Sequence, residues 1–301
     1  MNNESRDNTA DFDAIIVGAG LCGIYMLYKL LQQGLRVMVV DRADEPGGTW
    51  YWNRYPGARF DSESYTYGYS FSDALLQEWD WSEHFAAQPE TLRYLNHVVE
   101  HFDLREHMQF GLSVERADYN EADSLWAVTL DDGRSLSCRY LLTAVGMLSA
   151  ATLPNISGGE EFHGKSFHTY YWPKEPVDLK GKRVAVIGTG ATGVQIIGAI
   201  APEVGQLTVF QRRPNWCAPL HNSPIDAEEM ARIKESYADI FARCRATPNG
   251  FLHAPDRRVM ADLSEAERHA FWDELYNSPG FGVWLGNFRD VLVDPASNAE
   301  F

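Results

Sequence analysis

Two doubly wound α/β domains in tandem are expected from this chain on three grounds: a repeated strand–turn–helix–strand grammar, the glycines inside both turns, and sufficient length. The 301 residues exceed the ~150 typical of one domain. Residues 13–17 form a short apolar strand, followed by the turn Gly18-Ala-Gly20-Leu-Cys-Gly23. Residues 24–33 then place apolar side chains at helical spacing and stop at Gly34, and 35–40 give a second strand that ends at Asp41. The grammar returns 170 residues later. There 183–187 is the strand, Gly188-Thr-Gly190-Ala-Thr-Gly193 the turn, 194–200 the helix and 206–210 the next strand. Each copy is a β-turn-α-β unit.

Between the copies, 113–118 and 125–130 alternate as strands do, Asp131-Asp132-Gly133 signals a hairpin, and 134–138 pairs back. Residues 140–144 read as a separate, continuously apolar strand before Val145-Gly146. The expected organisation is a first domain over 1–146, a connection rich in Gly, Pro, Ser and Thr over 147–180, and a second domain over 181–301. In the second, only two strands precede the charged, helix-periodic stretches 226–245 and 264–276, so its sheet is expected to be incomplete.

Composition narrows the function. With 45% hydrophobic and 23% charged residues the chain is an ordinary folded protein. A net charge of −16 repels phosphate backbones and anionic lipid, which argues against nucleic acid as a partner. Cys22, Cys138, Cys217 and Cys244 make no CxxC pair, as fits a reduced cytoplasmic setting. The polar, acidic start of the chain is unlike a targeting peptide. The uncharged stretch 14–28 is shorter than a membrane span, and 140–159 and 184–204 are broken by polar residues, Gly or Pro, so no membrane crossing is expected.

A lone GxGxxG is weak evidence, but each copy here follows a strand and opens a helix, the context of a dinucleotide fingerprint. The glycines tighten the turn, admit a pyrophosphate and let helix and strand pack, while the helix N-terminus offers free amides to phosphate. Two Rossmann-like units follow. Asp41 lies 23 residues after Gly18, where a carboxylate accepts hydrogen bonds from a ribose diol and repels a 2′-phosphate, so the first site suits FAD or NAD. Arg212 lies 24 residues after Gly188 with Arg213 beside it, and guanidinium groups suit the 2′-phosphate of NADPH. Two sites of opposite preference imply an electron path from NADPH to a flavin.

A third motif, Phe162-x-Gly164-x-x-x-His168-x-x-x-Trp172-Pro173, lies in the connection. On its own His168 reads as well as a structural histidine. The complete FxGxxxHxxxWP string resembles the fingerprint of the Baeyer–Villiger monooxygenases, and the block from Gly47 to Asp61 is similar to that family's flavin-contacting loop. The resemblance runs along essentially the whole chain. It implies a FAD domain followed by an NADPH domain, and insertion of one oxygen atom from dioxygen beside a ketone carbonyl to give an ester or lactone.

Carried onto this sequence, the resemblance assigns Gly18, Gly20, Gly23 and Asp41 to the FAD adenosine and pyrophosphate. Thr49, Trp50, Tyr51, Trp52, Asp61, Tyr67 and Val114 would line the flavin, Arg59 and Asp61 would be catalytic, and Gly188, Gly190, Gly193, Arg212 and Arg213 would hold NADPH. Arg213 departs from a common Thr, Phe60 from a common Cys and Met147 from a common Gln. No metal is implied. The family's enzymes are longer, so the chain is expected to be the N-terminal part of one, inactive alone and lacking the catalytic arginine and most of the ketone pocket. An N- or S-oxygenating flavin monooxygenase, or an inactive nucleotide-binding remnant, is the alternative. A disulfide reductase is rejected, because Cys22 stands without a partner in its turn.

Overall fold

The computed structural model describes residues 10–301. Most of the polar start that speaks against a targeting peptide lies outside the described residues. In chain order the first elements are β1 (Phe12–Val17), α1 (Leu21–Gln32), β2 (Val37–Asp41), α2 (Thr49–Trp52), α3 (Ser64–Tyr67) and α4 (Asp73–Glu78). Next come α5 (Gln88–His101), β3 (Met108–Phe110), β4 (Val114–Asn120), β5 (Leu125–Leu130) and β6 (Ser135–Thr143). The remainder comprises β7 (Arg183–Ile187), α6 (Ala191–Ile200), β8 (Gln206–Phe210), α7 (Ala227–Ala246), α8 (Glu265–Tyr276), α9 (Gly282–Leu285) and α10 (Pro295–Glu300).

The described chain divides into two compact units. One joins the chain up to Tyr55 with Gln88–Asp178; the other joins Pro56–Ala87 with Leu179–Phe301. This differs from the linear division expected from the sequence. Residues 56–87 belong to the second unit, because α3 and α4 pack on α7. Cross-links such as Lys234 Nζ to Asp80 (2.5 Å) and His84 Nε2 to Glu229 (3.2 Å) hold them there. Residues 147–178, expected to be a free connection, belong to the first unit.

The first unit carries a six-stranded sheet in the order β3-β2-β1-β6-β5-β4. β2 and β6 flank β1 in parallel, from Ala14 against Val37 and Tyr140 to Val17 against Val40 and Thr143. β5 and β4 extend the sheet antiparallel. Strand β1 is central because Ala14, Ile15 and Ile16 are fully buried on both faces. Ile15, Val40, Val128, Leu130 and Cys138 form one core cluster beneath it. α1 buries Gly23, Ile24 and Leu27 and ends at Gly34, whose φ of +74° suits a glycine after the last turn. Two strands expected at 134–138 and 140–144 are one, β6. Its first half pairs with β5 and its second with β1, and Arg139 continues the strand with an exposed side chain.

The second unit holds a two-stranded parallel sheet, β7-β8. Ile187, Val209 and Phe210 of this pair are exposed. A two-stranded sheet is marginal by itself, and helices supply the remaining core here. α7 buries Met230, Ile233, Tyr237, Ile240 and Cys244 along one face. Asp226 caps it by accepting from the Glu229 amide (2.8 Å), and acidic residues at its start with Arg243 and Arg245 at its end match the helix dipole. α8 begins with a capping box between Ser264 and Glu267 and contributes Trp272 to a cluster with Met260, Phe288 and Val291. Among the described residues no helix is long and apolar enough to cross a membrane.

Candidate functional site

The first glycine turn crosses the C-terminal ends of β1 and β2, where open parallel sheets bind ligands. Gly18 sits at φ +109°, and a Cβ there would lie 2.6 Å from the Ala144 carbonyl oxygen on the strand next door. At Gly23 a Cβ would lie 1.8 Å from the Gly18 oxygen, so α1 can follow this turn only from a glycine. Gly20, the N-cap of α1, makes no side-chain cap at the start of the helix. A Cβ on Gly20 would stand 3.4 Å from Gly48 Cα.

These residues open onto a cleft of about 630 Å³. Of the expected flavin-side residues, Gly18, Gly20, Asp41, Thr49, Trp50, Trp52 and Val114 line it. Gly23 lies behind the turn, and Tyr51 turns away to donate a hydrogen bond to Asp44 (2.9 Å). Asp61 and Tyr67 belong to the second unit. Tyr67 there stacks on Phe60 at 4.1 Å, and Trp81 meets Phe60 edge-on, so the Phe60 that departs from the family pattern is a buried packing residue. Met147, the other departure, is exposed.

Asp41 is oriented before any ligand arrives. Its Oδ2 accepts from the Ala19 amide inside the glycine turn (2.6 Å) and its Oδ1 from the Ala43 amide (2.8 Å). A carboxylate has about four acceptor positions, so each oxygen keeps one for a ribose hydroxyl.

The FxGxxxHxxxWP string packs on this same unit. His168 Nδ1 accepts from the Tyr170 amide (3.1 Å), capping a short 3₁₀ turn, and the proton of its neutral ring is therefore on Nε2. The Phe162 ring lies over Gly164, 2.5 Å from where a Cβ would stand, and Trp172 packs on Phe167 at 5.4 Å. The residue that brings the string to the cleft is Tyr170, which stacks on Trp52 at 5.4 Å and 12° and lines the cavity. Arg42 donates to the Tyr170 hydroxyl (2.7 Å) and lies 5.2 Å over the Trp52 ring. Burial raises the Tyr170 phenol above its ordinary pKa, against the pull of Arg42. Sequence reading missed Arg42 and Tyr170. The pair was hidden because they are 128 residues apart and neither belongs to a spaced motif.

The second turn repeats the first backbone with fewer neighbours. Gly188 has φ +105° and its amide donates to the Phe210 carbonyl (2.8 Å). Gly193 stands 2.4 Å, as a Cβ, from the Gly188 oxygen. Around Gly188 and Gly190 an added Cβ would meet nothing within 4 Å. Arg212 and Arg213 follow β8 directly and are exposed, and Thr189 in the turn donates to the Arg213 carbonyl (3.5 Å).

Arg59 and Asp61 lie on a loop of this second unit. Arg59 Nη1 donates to Glu83 (2.9 Å) and to the Phe85 carbonyl (2.9 Å), bonds that brace the loop. Asp61 is partly buried, and burial raises its carboxyl above the ordinary aspartate value, opposed by a hydrogen bond from Gln195 and the Arg59 charge.

The chain thus carries two glycine turns, one beside Asp41 and one ahead of Arg212 and Arg213. The family model described as pyridine nucleotide-disulphide oxidoreductase matches residues 15–244, and the chain belongs to that family. Baeyer–Villiger monooxygenases are among the proteins it is similar to. It is 47% identical, over 98% of its length, to the 2-oxo-Δ3-4,5,5-trimethylcyclopentenylacetyl-CoA monooxygenase of Pseudomonas putida, of which that match covers 55%. A Baeyer–Villiger monooxygenase of Pseudooceanicola batsensis is 42% identical over 98% of this chain and 55% of its own. A crystal structure of OTEMO in complex with FAD and NADP superposes with a TM-score of 0.94, at 47% identity, over 97% of this chain and 56% of that one. A phenazine N-monooxygenase of Lysobacter antibioticus is 39% identical over 95% of this chain and 53% of its own. The chain thus spans about half the length of the relatives it matches. All four cysteines are free, and burial raises the Cys138 and Cys244 thiols.

Proposed function

We propose that this chain serves an NADPH- and FAD-dependent monooxygenase that inserts one oxygen atom of dioxygen beside a ketone carbonyl, giving an ester or lactone, in the reduced cytoplasm. The observation that carries the reading is the cleft at the first turn. It joins the glycine turn at the start of α1, an aspartate pre-oriented for a ribose diol, and the indoles of Trp50 and Trp52.

The residues fit the cofactors. Gly18, Gly20 and the start of α1 would take the FAD pyrophosphate, Asp41 its ribose, and Thr49, Trp50, Trp52 and the backbone at Val114 its ring system. Gly23 and Gly193 are what let each helix close on its turn. The open space at Gly188 and Gly190, with Arg212 and Arg213 at the end of β8, would take NADPH and its 2′-phosphate. Bound flavin, reduced by NADPH, supplies the oxygen-transfer chemistry. The aromatic walls exclude water from the ring, and Tyr170 with Arg42 fixes Trp52 in place. Asp61 would hold a charge for the reaction, on a loop that Arg59 braces.

The phenazine N-monooxygenase among the relatives gives nitrogen oxidation a specific claim as a second reading. Product analysis separates them. A protein of the relatives' length carrying these residues, given NADPH, dioxygen and cyclohexanone, is expected to release the seven-membered lactone. An N-oxide from phenazine with no lactone would overturn the ketone reading. The 301-residue chain alone is expected to bind FAD weakly and to show no turnover.

A further inference from the structure

The loop bearing Asp61 is fastened to the helix that opens at the second glycine turn. Gln195, on the second turn of α6, donates through Nε2 to the Arg59 carbonyl (2.9 Å) and to Asp61 Oδ1 (3.3 Å). Gly57 lets the loop come this close, since a Cβ there would lie 2.6 Å from the Gln195 carbonyl and 2.9 Å from Ala199 Cβ. From the opposite side Arg59 is bonded to Glu83 and Phe85 and bridges to Ala87. The loop is thus fixed from both sides, and the amide of Gln195 also reaches the Asp61 carboxylate.

We propose that Gln195 is a positioning residue: it ties the Asp61 carboxylate to α6, so that the helix presenting its N-terminus at the NADPH turn also sets the orientation of Asp61. This rests on the reading of Asp61 as a reacting-centre residue, and it adds a residue that neither glycine motif contains. The amide donates to the ionised carboxylate and therefore favours that form. The charged group facing Asp61 is Arg59, itself paired with Glu83, so Gln195 is the neutral contact that can be removed without changing net charge. Coupling of this kind is reciprocal: an anion held at the start of α6 shifts the titration of Asp61 by the same factor by which Asp61 ionisation shifts its affinity.

The test is a carbon-13 NMR titration of aspartate-labelled 301-residue chain, with the Asp61 signal assigned by its loss in Asp61→Asn. Gln195→Ala is expected to move the Asp61 midpoint to higher pH, and the near-isosteric Gln195→Glu to move it further. Adding NADP+ should shift the wild-type midpoint and leave that of Gln195→Ala in place. A structural role alone would lower the melting temperature without touching the titration. An unmoved midpoint in both folded variants would overturn the proposal. Because no flavin and no turnover enter the measurement, its failure is separate from a failure of the monooxygenase reading, which product analysis decides.

Discussion

The same six-residue glycine turn is built twice, and its two settings differ in how much surrounds it. In the first, Gly18 lies against Ala144 of a six-stranded sheet and Gly20 faces Gly48, whereas in the second no atom approaches the Cβ positions of Gly188 and Gly190. The third glycine is hemmed in both times by the oxygen of the first, at 1.8 Å and 2.4 Å. The third position is therefore a requirement of the turn itself, and the first a requirement of backbone angle, to which neighbours add in the first copy alone. A motif specifies its own backbone. The sheet around it decides how costly a change becomes.

The largest effect is expected at the third position. Gly23→Ala forces the turn open inside the full sheet and should cost on the order of 3 kcal/mol or more, read as a fall in melting temperature with loss of flavin binding. Gly193→Ala should strain its turn in the same way but melt less of the fold, because the sheet beside it has two strands rather than six. Equal losses would break the comparison. At the first position both glycines have positive φ, so either alanine costs about 1–3 kcal/mol of strain. Gly18→Ala should be the worse by calorimetry, since it alone meets a carbonyl oxygen at 2.6 Å.

These contrasts mark what the sequence could and could not tell. The turns, α1, β1, β2, α7 and α8 were legible because each is specified locally, by apolar spacing, caps and glycines. The assignment of residues 56–87 to the second unit was not, since it is made by contacts such as Lys234 with Asp80, 154 positions apart. α5 and β3 went unread for the same reason. α5 mixes buried Gln88, Glu90 and Thr91 with its apolar face, so its periodicity is blurred. The cleft was legible as far as the glycines, Asp41 and the block from Thr49 to Trp52. Tyr170 enters it from the connection, and Gln195 and Glu83 determine the environment of Arg59 and Asp61; these are tertiary facts with no short-range signature.

A smaller effect sharpens the contrast in charge. Removing both Arg212 and Arg213 as alanines should weaken NADPH binding by roughly 10- to 100-fold, at about 1.5–3 kcal/mol for a charged hydrogen bond, while NADH binding and melting temperature stay put, both side chains being exposed. Calorimetric titration with the two nucleotides reads this directly.

The smallest concerns Asp61. Its folded-state carboxyl is raised by burial, so its contribution to stability is fully present below the ordinary 3.8 and is lost as pH rises through the raised value. Asp61→Asn should therefore melt slightly above the wild type at pH 7, with the difference closing toward pH 3. A variant that melts lower at pH 7 would assign the carboxylate a net stabilising role instead.

One binding experiment bears on the whole account: FAD titrated into the chain, followed by flavin fluorescence, with and without saturating NADP+. The account predicts saturation at one flavin per chain and a midpoint that NADP+ does not move, because Asp41 and the two arginines serve separate turns. Competitive displacement of FAD by NADP+, or fluorescence that never saturates, would contradict it.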